Sequence, residues 1–245
     1  MNSFSHEYVT QQIFGNKKGI LFGCVQPDVD EREDAYAHHF YNPVTLKDYQ
    51  GSDDTAKNRC IYHLVDHLIA KDEVELGRSL HFLEDICTPV HTQYEDSFDA
   101  IYRLNLHTTF EKRLDKFLID GKFNKQINKK YNNLSIVNLL EHCALSSSEI
   151  YSSVRRNEKI SEKCLEDTIN LAINAVKCFK DIIGTKRLIA KKIDKINLII
   201  DGSEIITSTL ESWTIARTDC NNNLFIFQKN CSLKNYDLVS SRKIF

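Results

Sequence analysis

The chain has 245 residues, 27% of them charged and 42% hydrophobic, with a formal net charge of -2 at pH 7. This length can bury the core of one main domain without disulfide or metal support, and the composition is ordinary for a globular protein. No stretch approaches the ~20 apolar residues of a membrane span. The near-neutral charge disfavours the broad basic face with which proteins bind nucleic-acid backbones.

Two helices are predicted in the first half of the chain. Over residues 53–70 apolar side chains recur at helical spacing, and Asp53 and Asp54 are available as N-caps. Residues 72–87 predict a second helix with its leucines on one stripe. Pro89 stops that helix soon afterwards, because proline cannot continue the hydrogen-bond ladder.

Three further helices are predicted downstream. Residues 104–118 repeat the amphipathic pattern, and Gly121 is a suitable terminator. Residues 135–154 and 160–183 follow, with Gly184 at the C-cap position of the last helix. The chain's 3 prolines and 8 glycines are few, which agrees with a mainly helical protein.

Beyond these helices the pattern changes to β-branched alternation. INLIIDGSEIITS places the turn dipeptide Asp201-Gly202 between two predicted strands, and LFIFQ at 224–228 predicts another. We therefore divide the chain into a helical domain over 1–184 and a small β-rich extension over 185–245. The extension is shorter than the ~100 residues of a full β-sandwich. The expected fold class is all-α, a multi-helix bundle with a short β-rich tail.

Cysteine usage and the opening residues bear on the cellular setting. The eight cysteines are scattered and contain no CxxC pair, which disfavours a zinc-thiolate cluster and predicts buried free thiols. The opening segment MNSFSHEYVTQQIFG lacks the basic start and unbroken apolar core of a secretory signal. We expect the chain as written to be cytoplasmic, or secreted if it is a mature form.

The spacing of five side chains predicts a metal site. His81 and Asp85 lie four residues apart on the second predicted helix, which places both on one face. His91 follows the helix-breaking proline, and His107 and Glu111 repeat the four-residue spacing on the next helix. Imidazole and carboxylate together suit zinc, and a carboxylate such as Asp85 can bridge two ions ~3.5–4 Å apart.

Other candidate ligands have ordinary alternatives. The H-x3-H pair of His63 and His67 lacks an HExxH glutamate, so we expect surface or supporting roles for it. His38 is expected to be a neighbour of the site, and His142 is expected to be structural. Cys87 would point to roughly the opposite side of its helix and is left out of the metal shell.

At this point the motifs resemble a known family, the bacterial zinc-dependent phospholipases C, which include the alpha-toxins and share a helical fold with the single-strand zinc nucleases. LGRSLHFLEDICTPVHT at 76–92 resembles the family's H-x3-D-x5-H core. HTTFE at 107–111 resembles its H-x3-E motif, and HFYNP at 39–43 resembles its upstream histidine motif. With the Pro27-Asp28 pair, which lies in a predicted loop, the resemblance covers the chain from His6 to Gly184.

The resemblance implies two to three zinc ions and their ligands. One zinc would take Asp28, His39, His81 and Asp85, and a second would take His91, His107 and Glu111. A third would take His6, Asp85 and the N-terminal amine. The family's first residue is a tryptophan, whereas here Met1 would supply that amine, once deprotonated.

The expected function is a zinc-dependent phospholipase C, which hydrolyses glycerophospholipids to diacylglycerol and a phosphorylated head group with zinc-activated water. The resemblance gives Asp28 a catalytic role, to orient or deprotonate that water while it also binds zinc. The alternatives are a single-strand-specific zinc nuclease and a non-catalytic protein stabilised by zinc. HFYNP, the glutamate at 111 and the short insert before His107 favour the phospholipase.

The partners follow from this reading. A phospholipid substrate is expected, with transient contact to a membrane surface, whereas nucleic acid is disfavoured because the insert carries a single cation, Arg103. The basic stretch 186–195 is either a membrane contact or a solvated helix face. Nearby aromatic side chains could line a head-group pocket, although core packing is the ordinary reading: Tyr36, Phe40, Tyr41, Tyr94, Phe98 and Tyr102. The oligomeric state stays open.

Overall fold

A computed structural model describes residues 1–30, 38–52, 54–92, 100–124, 134–157, 160–184, 188–193, 196–201, 204–208, 214–218, 223–229 and 236–243. The helices are α1 Ser3–Phe14, α2 Lys18–Val25, α3 Pro27–Asp30, α4 Ala56–Ala70, α5 Glu73–Ile86, α6 Ala100–Ile119, α7 Ile136–Asn157 and α8 Glu162–Gly184. A 3-10 turn covers Pro89–His91. The predicted all-α body is confirmed, and α5 lies at its centre, in contact with α1, α2, α4, α7 and α8.

Four of the five predicted helices begin and end within about three residues of the observed bounds, and the differences have local causes. Helix α4 begins after Thr55, whose side chain accepts from the Asn58 N–H, so the predicted N-cap role of Asp54 is wrong. The Asp54 carboxylate instead binds the guanidinium of Arg59 in a bidentate pair, with both distances 2.7 Å. Asp53 lies outside the described residues.

The downstream helices match their predictions with small shifts. Helix α6 begins at Ala100, four residues before the predicted start, and Gly121 follows its end with a φ of 65°. That left-handed conformation favours glycine and agrees with the predicted terminator. Gly184 is the last residue of α8 rather than a cap beyond it.

The first three helices were not predicted as helices. The buried side chains of α1 include Ser5, His6 and Thr10, so its inward face is polar and carries no apolar period. Asp28, expected in a loop, lies on the short helix α3, whose first residue is Pro27. Proline is tolerated there because the first N–H of a helix has no intrahelical acceptor.

Helices α2 and α5 cross in backbone contact at two glycines. A Cβ built at Gly23 would lie 2.1 Å from the Val74 carbonyl oxygen, and one at Gly77 would lie 2.2 Å from the carbonyl oxygen of Ile20. Both distances are far below van der Waals contact, so only glycine fits at either position. The crossing brings the end of α2 against the first turns of α5.

The tail forms two antiparallel sheets. Strands β1 Leu188–Ile193, β2 Ile196–Asp201 and β3 Glu204–Ser208 make the first sheet, and β4 Thr214–Thr218, β5 Asn223–Lys229 and β6 Tyr236–Lys243 make the second. The predicted hairpin is confirmed by the pairing of Asp201 with Glu204, while its turn lies outside the described residues. Most of the basic stretch 186–195 is strand β1, so the helical reading of it is wrong.

The first sheet lies against α4, where Leu188 and Ala190 pack on the helical core. The division of the chain at residue 184 stays a prediction. The six cysteines among the described residues are buried and free, as expected. Within the described helices, none combines the length and apolar character needed to cross a bilayer.

Candidate metal centre

The structure brings the predicted ligand residues together from separate elements. Met1 and His6 come from the start of the chain and α1, Asp28 from α3, and His39 from the loop before α4. Helix α5 adds His81 and Asp85, the 3-10 turn adds His91, and α6 adds His107 and Glu111. Their nitrogen and oxygen atoms form three groups, each within 4.8 Å: His6, Asp28, His81; His39, His81, Asp85; and His91, His107, Glu111.

One cluster of candidate metal ligands, called the first centre, is formed by His39, His81 and Asp85. Asp85 Oδ2 lies 2.6 Å from His39 Nδ1 and 3.2 Å from His81 Nε2. The two imidazole nitrogens lie 3.0 Å apart. Asp28, assigned to this zinc by the resemblance, lies beside it with Oδ1 at 3.7 Å from His81 Nε2. The side chain of Asp28 is 25% exposed, whereas His81 and Asp85 are fully buried, so this position opens toward solvent on the side of Asp28.

A further cluster of candidate metal ligands, called the second centre, is formed by His91, His107 and Glu111. The Nε2 atoms of the two histidines lie 2.8 Å apart. Glu111 Oε1 lies 3.2 Å from His91 Nε2 and 3.4 Å from His107 Nε2. The four-residue spacing of His107 and Glu111 on α6 therefore produces the convergence that it predicted.

Asp85 connects the two centres to the amino terminus. Its Oδ1 lies 2.7 Å from the Met1 amine, 3.4 Å from His6 Nε2 and 3.4 Å from His91 Nδ1. The Met1 amine is also 3.2 Å from Glu111 Oε1. Asp85 therefore lies between the two centres, as expected. One of its carboxylate oxygens faces His39 and His81. The other oxygen faces Met1, His6 and His91.

Backbone carbonyls set the tautomers of two of the histidines. The Nδ1–H of His81 donates to the carbonyl oxygen of Cys24 at 2.8 Å, and that of His91 donates to the carbonyl oxygen of His39 at 3.0 Å. The proton of a neutral imidazole is then on Nδ1, and Nε2 presents a lone pair to the site. The glycine crossing of α2 and α5 places the Cys24 carbonyl where it can accept this bond.

The donor set fits zinc. A neutral His91 has a lone pair on Nε2, and that atom faces the Nε2 of His107 at 2.8 Å. Among the described residues, the buried Nε2 of His6 has no hydrogen-bond partner. A cation in each group would give these nitrogens and carboxylate oxygens a partner, and imidazole with carboxylate is a ligand set that suits zinc.

Burial and charge divide the histidines into neutral and protonated groups. Burial lowers the pKa of His81 to about 4 and that of His107 to about 3, with nearby imidazolium charge acting in the same direction. Both are therefore neutral at pH 7, as metal ligands must be. Burial opposes protonation of His6 too, yet its contacts with Asp85 and Glu84 raise its pKa to about 9.

The pKa values of the Met1 amine and of the carboxylates also depend on burial and on neighbouring charges. Burial would lower the pKa of the Met1 amine, but the charges of Asp85 and Glu111 raise it to about 11. Against the opposing effect of burial, electrostatic interaction with His91 and with the Met1 amine holds the pKa of Asp85 well below its usual range. Without metal, the carboxylates are thus neutralised by protons on Met1 and His6, and zinc would displace these protons.

Three histidines that were not expected to be metal ligands, His38, His63 and His67, lie outside the three groups found among the described residues. His38 Nδ1 contacts the Asp54 carboxylate at 3.3 Å, as expected of a neighbour. His63 is buried rather than on the surface, and its Nδ1 lies 2.7 Å from Glu75 Oε2. His67 Nδ1 donates to the carbonyl oxygen of Asp72. Cys87 caps α5 and stays out of the groups, as predicted.

The aromatic side chains divide between site and core. The Phe40 ring stacks on His91 at a centroid distance of 5.0 Å and faces His107 at 5.9 Å. Tyr41 is buried and its hydroxyl donates to Glu141 at 2.7 Å, which is ordinary core packing. Three of the other aromatic residues, and the side chain of the fourth, lie outside the described residues: Tyr36, Tyr94, Phe98 and Tyr102.

Two supporting side chains were not found from the sequence. Glu84 is fully buried beside Asp85, where one carboxylate oxygen contacts His6 and the other accepts from the Thr10 hydroxyl. Glu84 occupies a buried helix position with a charged residue type, which is a usable signal. Its partners lie on α1, and only the tertiary structure could identify them.

Comparisons with known proteins agree with this geometry. The family described as zinc dependent phospholipase C matches residues 2–176, well over half of the chain. The alpha toxin from Clostridium absonum is similar in structure, with a TM-score of 0.51 and 13% identity over 100% of this chain and 89% of the toxin. The Clostridium perfringens alpha-toxin from avian strain SWCP has a TM-score of 0.54 and 15% identity, over 99% of this chain and 93% of the toxin. No curated protein sequence matches.

Proposed function

Because this chain belongs to the zinc-dependent phospholipase C family, we propose that it hydrolyses glycerophospholipids to diacylglycerol and a phosphorylated head group. The observation that carries the proposal is the convergence of three ligand groups around Asp85. Ions held on both sides of one carboxylate suit phosphodiester chemistry, because neighbouring metals stabilise the attacking and the leaving oxygen together.

The proposed ligand sets are those that the family resemblance implies, and the set of His91, His107 and Glu111 coincides with one of the groups among the described residues. Asp28, His39, His81 and Asp85 would hold one zinc, and His91, His107 and Glu111 would hold a second. His6, Asp85 and the Met1 amine would hold a third. Zinc bound at these positions supplies a water whose pKa falls from 15.7 to about 7, together with positive charge for the phosphoryl oxygens.

Asp28 is the proposed catalytic group. Its side chain is the most exposed among the ligand side chains of the first centre, and Ser3 Oγ donates to its Oδ2 at 3.3 Å. Asp28 orients the attacking water and accepts its proton. The water oxygen bonds to phosphorus, and the bond from phosphorus to the glycerol oxygen breaks. The departing oxygen takes up a proton from solvent, which gives diacylglycerol and the phosphorylated head group.

A lipid substrate and transient membrane contact are supported by apolar residues beside Asp28. Val29 is the next residue on α3 and is 51% exposed, and Phe4, which follows Ser3, is 43% exposed. Apolar side chains that stay in water next to a reactive site suit contact with acyl chains at a lipid surface. A nuclease would instead need cations and stacking platforms along a groove.

The test combines metal analysis with two substrates. Purified protein is assayed for zinc by elemental analysis and for hydrolysis of phosphatidylcholine vesicles and single-stranded DNA. We expect two to three zinc ions per chain and lipid turnover, with turnover abolished by chelation and in Asp85→Asn. Asp120→Asn, an exposed carboxylate just beyond α6, is the matched control and is expected to retain activity.

Each contrary result has a distinct meaning. Cleavage of DNA without lipid turnover would replace the phospholipase proposal with the nuclease. Stoichiometric zinc with neither activity would indicate a protein that zinc only stabilises.

A further inference from the structure

We propose that Glu84 and Thr10 are positioning residues for the third zinc, because Glu84 fixes the ring of His6 so that its Nε2 faces the ion. This inference rests on the zinc binding of the proposed function but not on the lipid substrate. It adds to the site two residues that are not themselves ligands. Neither residue belongs to the three groups of ligand atoms in the described structure.

The contact is built from buried side chains of two helices. His6 Nδ1 lies 2.6 Å from Glu84 Oε2, and the Thr10 hydroxyl donates to Glu84 Oε1 at 2.7 Å. All three residues are fully buried. His6 and Thr10 are four residues apart on α1, so one face of that helix meets both oxygens of the carboxylate. The carboxylate therefore has little freedom to rotate away from the ring.

This contact determines which nitrogen of His6 is available. A carboxylate at Nδ1 requires that atom to carry the proton, which leaves the lone pair of the neutral ring on Nε2. Nε2 lies 3.4 Å from Asp85 Oδ1 and, within the described part of the chain, is a buried nitrogen with no hydrogen-bond partner. A buried polar atom without a partner is costly, and an ion shared with Asp85 and the Met1 amine would provide one.

The anchor of His6 differs from those of His81 and His91. Their Nδ1 atoms donate to backbone carbonyls of Cys24 and His39, which are not removed by truncating the side chains of Cys24 and His39. His6 is instead held by a carboxylate, the acceptor that most strengthens an imidazole as a ligand. Zinc binding at the proposed third site can therefore be weakened by substituting a residue that is not itself a zinc ligand.

The experiment measures zinc retained by the full chain against increasing chelator, for wild type, Glu84→Ala, Glu84→Gln and Thr10→Val. Wild type is expected to hold three zinc ions, and Glu84→Ala to lose one of them at about 10–100-fold lower chelator concentration. Glu84→Gln keeps an acceptor for His6, so it is expected to fall between the two. Thr10→Val keeps the carboxylate and is expected to be closest to wild type.

A second readout reports the His6 ring itself. In the zinc-loaded protein, the hydrogen-bonded Nδ1–H of His6 is expected to give a solvent-protected proton resonance in wild type and Glu84→Gln and to be absent in Glu84→Ala. A residue that only stabilised the fold would weaken all zinc ions together and leave this resonance unchanged. Circular dichroism checks that each variant folds.

The matched control is Glu75→Ala, which lies on the same helix as Glu84 and removes the carboxylate that contacts His63 of α4. It is expected to leave all three zinc ions at wild-type retention. Equal loss in this control, or a wild-type chain that binds only two zinc ions, would overturn the inference. If Glu84→Ala does not fold, wild-type zinc retention in both Glu84→Gln and Thr10→Val would also overturn the inference. Selective zinc loss in a chain without lipid turnover would support the inference and contradict the proposed function.

Discussion

Two histidine–carboxylate pairs that involve helix α5 have nearly the same local geometry. His6 Nδ1 lies 2.6 Å from Glu84 Oε2, and His63 Nδ1 lies 2.7 Å from Glu75 Oε2. In both histidines Nε2 is buried and, among the described residues, has no hydrogen-bond partner. Yet, in the part of the chain that the structure describes, His6 belongs to a group that can hold a metal ion and His63 does not.

The difference lies in what surrounds each pair. The His6 ring stacks on His81 at a centroid distance of 4.0 Å, and its Nε2 faces Asp85. The His63 ring stacks on Phe82 at 5.6 Å, and the charge of Glu75 is neutralised by the guanidinium of Arg78 at 2.9 Å. A histidine and a carboxylate in contact are therefore not sufficient for a metal site, which requires further donors to converge on the free nitrogen.

The largest expected effect comes from the crossing of α2 and α5, which places the Cys24 carbonyl against His81 in the surroundings of the first pair. Gly77→Ala would force a Cβ to within 2.2 Å of the Ile20 carbonyl oxygen, so the helices must separate and move the Cys24 carbonyl away from His81. We expect the free energy of unfolding to fall by more than the ~1–3 kcal/mol usual for overpacking. We also expect zinc binding to be reduced. Denaturant unfolding and elemental analysis measure both.

Gly184→Ala is the matched control for that substitution. Among the described residues, a Cβ at Gly184 would have no heavy atom within 4 Å, so unfolding is expected to change by less than ~1 kcal/mol. Wild-type stability and zinc content in Gly77→Ala would contradict the view that this crossing orients His81.

A smaller effect should separate the two pairs by pH in the zinc-free protein. The pKa of His6 is raised from 6.5 to about 9, so its contribution to stability is complete below pH 6.5 and is lost as pH rises through about 9. The hydrogen bond from His63 lowers the pKa of Glu75 below 4.5, so that contribution is present above pH 4.5 and is lost as pH falls.

Unfolding free energies measured from about pH 2 to pH 10 can test this contrast, at ~1.4 kcal/mol for each unit of pKa shift. Glu84→Gln is expected to flatten the alkaline loss of stability, and Glu75→Gln to flatten the acid loss. If the two variants change the same limb, the two pairs are not electrostatically distinct.

The smallest effect is expected at Arg78, which belongs to the second pair alone. Its side chain is 29% exposed, and its contact with Glu75 is partly screened by water. Arg78→Ala should cost only ~0–1 kcal/mol and leave the zinc content unchanged. A variant that lost zinc would show that the second pair supports the metal centre after all, through Gln26, which also accepts from Arg78.

Much of the fold and of the predicted ligand set could be read from the sequence. Helical periodicity depends on residues close in sequence, so α4 to α8 were predictable from their apolar stripes. The four-residue spacings of His81 with Asp85 and of His107 with Glu111 likewise fix a shared helix face. Helix α1 could not be recognised in this way, because its buried face is polar where it meets the metal centre.

The sequence by itself determined which residue types could bind zinc and which pairs share a helix face. The family resemblance already implied that the Met1 amine and His6 meet at Asp85, whereas only the tertiary structure decided that Glu84 contacts the His6 ring, because that contact joins residues 78 positions apart. The same holds for the difference between His6 and His63. Each has a carboxylate at Nδ1, and only the packing of α1 against α5 places further ligands at the Nε2 of His6.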